Sequence, residues 1–181
     1  MASFTERMMG AAKLDVHTYE EVEADTTAMG QAMGVVVLSA VAAGIGTAGR
    51  GGAMGVLGVS VGALIGWFIW AGLTYLIGTK VLPEPQTKSD MGELLRTIGF
   101  SASPGIARVL GIIPFLGPLI MFAASIWMLV AMVVAVRQAL DYRSTGRAVG
   151  VCLIGFIAYL AVVIMVRVVF GIAQGIAGAV T

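Results

Sequence analysis

The chain has 181 residues, 59% of them hydrophobic and only 12% charged, with a mean hydropathy of +0.97 and a net charge of +1. A soluble domain carries about 25% charged residues, so half that share leaves too little polar surface to meet water on every side. The near-zero net charge excludes the basic stripe of a nucleic-acid binder, and the single cysteine, Cys152, excludes an internal disulfide or a cysteine-rich metal site.

Residues 1–30 form the polar part. Met1 to Ala28 carries Glu6, Glu20, Glu21, Glu23 and Asp25 and has no basic segment followed by an apolar run, so it reads as part of the mature chain and not as a secretory signal. Ser3 and Glu6 have capping-box spacing and start a short helix, with Phe4, Met8, Ala11 and Ala12 on one face. That pattern predicts an amphipathic helix lying in the membrane interface. Thr18 and Glu21 repeat the spacing and predict a second helix that runs on into the first span.

A helix needs about 20 apolar residues to cross a bilayer core. Residues 31–48 and 53–78 meet that length, joined by a turn carrying Arg50. A polar linker with Pro83, Glu84 and Pro85 follows. Residues 115–136 and 148–170 are two further spans. Between the linker and the first of these lies 94–113, which contains Pro104 and Arg108 and ends against Pro114. Asp90 and Glu93 are placed to cap its start, and Ser103 before Pro104 looks like a helix restart. The stretch is either a kinked crossing or a re-entrant hairpin. Basic residues in short loops favour the cytoplasmic side. With five crossings and the N-terminus inside, Arg7, Lys13, Lys80, Lys88, Arg96, Arg137, Arg143 and Arg147 all fall inside, against Arg50 alone outside. Without the crossing at 94–113 the bias vanishes. The sequence therefore predicts an all-α, polytopic integral membrane protein with five transmembrane helices in residues 31–181, after a cytoplasmic or interfacial helical segment in 1–30. The expected location is the cell (inner or plasma) membrane, N-terminus cytoplasmic and C-terminus outside. Every acidic residue lies on the inner side in this arrangement, so polar partners are expected there.

The chain holds 25 Gly in 181 residues, about twice the ordinary share. Gly58, Gly62 and Gly66 recur every four residues on the second span and form a candidate helix-packing seam, within the chain or between copies. Trp70 and Tyr75 lie toward the inner end of that span, while Trp67 and Trp127 read as packing residues. Two arginines, Arg108 and Arg167, fall within spans. Each either snorkels to the outer interface or serves an intramembrane polar site, which for Arg108 would be framed by Pro104 and Pro114. No span contains a carboxylate, which disfavours ion-coupled transport.

Catalytic signatures are missing. His17, the one histidine, stands beside Glu20 and Glu21 and reads as solvated. Ser39, Ser60 and Ser125 sit in apolar helices without a base, each expected to bond the preceding turn. No catalytic residue, cofactor or metal is expected, and the chain reads as not an enzyme.

The order of these features resembles the bacterial branch of the Yip domain (Ypt/Rab-interacting-protein-like, YIPF-type) family. The resemblance is carried by a polar leader before five closely spaced spans and by Arg96-Thr-Ile-Gly-Phe-Ser-Ala-Ser-Pro104. It is carried also by Glu6-Arg7-Met-Met-Gly-Ala-Ala-Lys-Leu-Asp15 and Thr18-Tyr-Glu-Glu-Val-Glu-Ala-Asp25. It implies a polytopic helical membrane protein with a cytoplasmic N-terminus and no catalytic residue. Relatives in eukaryotes act in vesicle traffic and bind small GTPases, a role that does not carry over to bacteria. The function expected is a non-enzymatic organiser or scaffold of membrane components, with membrane lipids, further copies of itself or other membrane proteins as partners. The alternative is a small channel or passive transporter with its site near Arg108.

Overall fold

The computed structural model describes residues 2–47 and 52–180, with side chains described for 2–47, 55 and 57–169; Arg50 lies outside them. Every regular element among the described residues is helical. Four helices are long and apolar enough to cross a membrane: Thr26–Gly46, Leu57–Val81, Gly117–Ala139 and Thr145–Val169.

Helix α1 (Phe4–Ala12) begins at the Ser3–Glu6 capping box, both bonds of which are formed. Leu14, at φ 64°, turns the chain into α2 (Val16–Ala24). The cap of α2 is Asp15, not Thr18. Its short carboxylate accepts from the His17 N–H and from the Thr18 hydroxyl, so Thr18 cannot act as a cap itself. Nor does α2 run on into the first span. Asp25 ends it and caps a single 3₁₀ turn, Thr26–Ala28, before α3 (Met29–Gly46). The apolar face of α1 meets protein, not lipid: Ala11 is buried, and Phe4 and Met8 pack on the core. Trp127, expected as a packing residue, is 43% exposed and ties α1 to the bundle by donating its indole N–H to the Ala12 carbonyl at 2.8 Å.

Helix α4 (Gly52–Leu76) closes with a π-helical turn, Ile77–Val81. Helix α5 (Met91–Phe100) starts at the Asp90–Glu93 capping box. The expected span 94–113 is not one continuous helix. It breaks at Ser101–Ala102 and restarts at Ser103 and Pro104 as a ten-residue 3₁₀ segment, Ser103–Ile112. Helix α6 (Gly117–Ala139) and helix α7 (Thr145–Val180) complete the chain.

The broken stretch lies beside α3 and runs in the same direction. A Cβ on Gly99 would come within 2.7 Å of the Ala32 Cβ, and one on Gly105 would collide with Ser39 Oγ. At the far end, a Cβ on Gly46 would collide with the Arg108 carbonyl oxygen, and one on Gly111 would lie 3.0 Å from the Gly46 carbonyl oxygen. Residues 32, 39 and 46 are two α-helical turns apart, at about 1.5 Å rise per residue. Residues 105 and 111 are two 3₁₀ turns apart, at about 2.0 Å per residue. The two faces therefore advance nearly in step. Contacts of Gly111 with Met121, Gly105 with Met128 and Ser101 with Met132 show α6 returning antiparallel. Helix α7 returns along α4 in the same manner: Leu82 meets Gly150, Ile77 meets Gly155, and Gly66 meets Tyr159.

This connectivity gathers the polar segments at one end. Arg96 reaches α2, Gln138 bonds Glu20 at 3.3 Å, and Gln86 bonds the Asp141 carbonyl at 3.1 Å. Glu84 accepts from the Arg143 N–H at 3.0 Å and pairs with Arg147 at 3.3 Å. The buried Tyr142 hydroxyl lies 2.9 Å from the Gly78 carbonyl and 2.7 Å from that of Leu82, two groups the π-helical turn leaves without helical partners. Large apolar side chains elsewhere, such as Leu57, Ile65, Leu119, Phe122, Ile157 and Ile164, face outward, as a surface in lipid requires.

A candidate intramembrane site around Arg108

Three arginines are drawn into the protein, Arg7 and Arg96 fully and Arg108 partly, and their surroundings differ. Arg7 is 1% exposed. Its guanidinium donates to Glu21 Oε1 at 2.8 and 3.2 Å, to Asp25 Oδ2 at 2.7 Å and to Gln31 Oε1 at 3.1 Å. The Arg7 bond, with that from the Ala2 N–H, holds the Glu21 carboxyl below its usual range. Thr27 and then Arg7 pull Asp25 down to about 2. Arg7 sits at i+3 from Phe4 and four before Ala11, inside the apolar stripe of α1. That placement was the available signal, and composition-level reading counts Arg7 only as a loop cation. Arg96, also buried, donates to the carbonyls of Val22 at 3.0 Å and Glu23 at 3.1 Å and so covers the C-terminal end of α2. Around it, burial together with Glu93, Asp141 and Glu20 pushes Glu23 up to about 7.

Arg108 has no such company. The 3₁₀ segment carries it toward a cavity of about 580 Å³ to which α3, α4, α5, α6 and α7 all contribute. Its walls include Ser39, Gly62, Gly66, Trp67, Trp70, Met128, Leu129, Met132, Phe156 and Tyr159. The guanidinium Nη2 rests on Met128 Sδ, a weak acceptor, and Nε is buried with no hydrogen-bond partner. Among the described residues Arg108 makes no ion pair. Its head does not snorkel to the outer interface. It reaches Met128, eleven residues from Gly117 and eleven from Ala139, at the middle of α6.

The other candidate residues are dispersed. Pro104 is buried at the start of the 3₁₀ segment, where its fixed φ and missing N–H cost no helical bond. Pro114 is exposed in the turn before α6, and Arg167 is exposed on α7 away from the cavity. The Gly58–Gly62–Gly66 seam is not packed on a helix of this chain. A Cβ on Gly58 or Gly62 would meet nothing within 4 Å, and only Gly66 has a neighbour, Tyr159 Oη at 3.0 Å. The small-residue contact that the fold does use is Ala32–Gly99, Ser39–Gly105 and Gly46–Gly111. Trp67 packs as expected, its indole N–H donating to the Leu95 carbonyl at 3.0 Å. Ser125 bonds back to Met121 at 2.8 Å, whereas Ser39 lines the cavity. His17 is exposed and 4.0 Å from Glu20, and no group of metal-ligating residues occurs among the described residues.

The arrangement can hold an oxyanion in an otherwise apolar chamber. A family model described as the Yip1 domain matches residues 18–165, which span α2 to most of the last crossing. No curated protein and no solved structure matches the chain.

Proposed function

The chain belongs to the Yip1 domain family, and from that premise we propose a non-enzymatic, multi-pass organiser of the cell membrane that engages lipids, further copies of itself or other membrane proteins. In this reading the chain crosses five times, with the N-terminus and the polar end cytoplasmic and the C-terminus outside. The observation that carries it is the gathering of residues 20–25, 79–96 and 137–147 at one end through Arg96, Gln138, Gln86, Glu84 and Arg147, with Arg7 tied to Glu21 and Asp25. Those segments, with Arg7, carry seven of the eleven Lys and Arg, the pattern of a cytoplasmic face. The third crossing is the broken one. From residue 94, seven α-helical and ten 3₁₀ residues extend about 10 and about 20 Å, close to the thickness of a hydrocarbon core. Its parallel run beside α3 gives it the same sense of crossing. Organisation of partners falls to the polar end, where charges of both signs are exposed to headgroups or proteins.

A cysteine at position 144, in a Cys152→Ala background, tests the orientation. It should resist an impermeant maleimide in intact cells and react after permeabilisation. Labelling from outside would overturn the reading. Mild-detergent purification with stoichiometry then tests the organising role, which requires a stable partner or a defined oligomer. The second reading, a small channel or passive transporter, is favoured by the cavity beside Arg108 alone. It requires anion flux in proteoliposomes that Arg108→Gln abolishes.

A further inference from the structure

We propose that the cavity between α3, α4, α6 and α7 binds a single-chain amphiphile with a carboxylate head, a fatty-acid-type ligand whose head pairs with Arg108 and whose chain lies against Trp67, Leu129, Met132 and Phe156. The inference does not depend on which end of the bundle is cytoplasmic.

A guanidinium removed from water needs a counter-charge or hydrogen-bond acceptors. Here Nε has none and Nη2 has only a thioether. The chain cannot supply the missing anion, because its ten acids lie at positions 6–25, 84–93 and 141, and none lines the cavity. Trp70 lines the same chamber, and its indole N–H is likewise buried without a partner. The unmatched groups in the walls are thus donors, which selects an acceptor-rich head. A planar carboxylate meets the guanidinium fork through two parallel bonds.

Depth and volume select the rest of the ligand. The guanidinium lies at the middle of α6, so its partner must reach the centre of the bilayer. A carboxylic acid can arrive there neutral, since desolvation favours its protonated form, and ionise against the arginine. A phosphodiester head stays charged and is held at the interface. A chamber of about 580 Å³ is in the range that takes one small molecule, not a two-chain lipid. Entry is open on the α4 side, where Gly62 lines the cavity, is exposed, and leaves its Cβ position empty for 4 Å around.

The experiment uses the full chain in mild detergent with palmitate bearing a mid-chain diazirine, photolysed and mapped by peptide mass spectrometry. Adducts are expected on the α4 and α6 cavity walls. Arg108→Gln should lower their yield about tenfold, the scale of one charge-assisted bond. Gly62→Leu, which fills the chamber from the opposite wall and leaves the charge in place, should lower it as much. A diazirine fatty alcohol, lacking the carboxylate, should label weakly and be indifferent to Arg108→Gln. Equal labelling by alcohol and acid, no response to either variant, or labelling by a two-chain anionic phospholipid probe in place of palmitate would each overturn the proposal.

Discussion

The two ends of this bundle treat buried polarity in opposite ways. At the polar end the buried arginines and Tyr142 have counterparts: Arg7 has Glu21, Asp25 and Gln31, Arg96 has the carbonyls that end α2, and Tyr142 has those of the π-helical turn. In the middle of the bundle, Arg108 and Trp70 keep unmatched donors around an open chamber. One region is closed by its own hydrogen bonds, while the other is incomplete without something the chain does not contain. Family membership describes the framework common to both, and the contrast locates where a ligand acts.

The comparison breaks most visibly at Arg7. Arg7→Met removes the cation between two carboxylates and should cost about 3–5 kcal/mol, as loss of one partner of a buried pair does. Thermal unfolding in detergent reads the effect directly. A variant as stable as the parent would mean that the polar end is not held by this network.

Next in size is a pair of glycine substitutions. Gly46→Ala drives a methyl group into the Arg108 carbonyl, backbone against backbone, and should cost about 1–3 kcal/mol as an overpacked contact does. Gly62→Ala enters open space and removes the entropy cost of a helical glycine, so it should be neutral or stabilising by up to about 1 kcal/mol. Equal loss in both would show that the α4 glycines are packed after all.

The smallest effect is a slope in pH. Glu23 rises to about 7 because it is partly buried and faces Glu93, Asp141 and Glu20, with Arg96 opposing. Its folded form binds a proton that its unfolded form has already lost, so stability falls as pH rises from about 4.5 to about 7. Asp25 and Glu21 act in the other sense. Their folded carboxyls are lowered, so their contribution is present above the unfolded values and lost as pH drops through the folded ones. Glu23→Gln should flatten the descent between pH 4.5 and 7 while leaving the acid limb intact, as unfolding midpoints across that range would record.

Much of the framework was legible in the chain. Long apolar runs, the Ser3–Glu6 and Asp90–Glu93 boxes and the restart at Pro104 are local signals, and each appears in the structure. Thr18–Glu21 failed because Asp15, three residues earlier, starts the helix by accepting from the His17 N–H and the Thr18 hydroxyl, which leaves Thr18 inside it. The glycine seam has no partner helix within this chain at Gly58 and Gly62. Spacing by four detects a flat face on an α-helix and says nothing of whether a partner lies there. The face in use on the broken stretch repeats every six residues because its second half is 3₁₀, and that winding depends on packing against α3 and α6. Of the site, Arg108 was visible as a charge out of place, but its inward direction was not, because direction follows from the break at Ser101–Ala102. Arg167, equally conspicuous in the sequence, lies exposed on α7.

The contrast between a saturated and an unsaturated arginine is tested most directly by the unfolding midpoint of Arg108→Met against the parent, in lipid-free detergent and again with palmitate added. The account predicts a variant at least as stable as the parent without the fatty acid, since a half-buried charge without an ion pair has been replaced by an apolar chain. With palmitate, the parent midpoint should rise by binding to the folded state while the variant stays where it was. A variant that loses several degrees without palmitate, or that gains as much as the parent with it, would contradict the account.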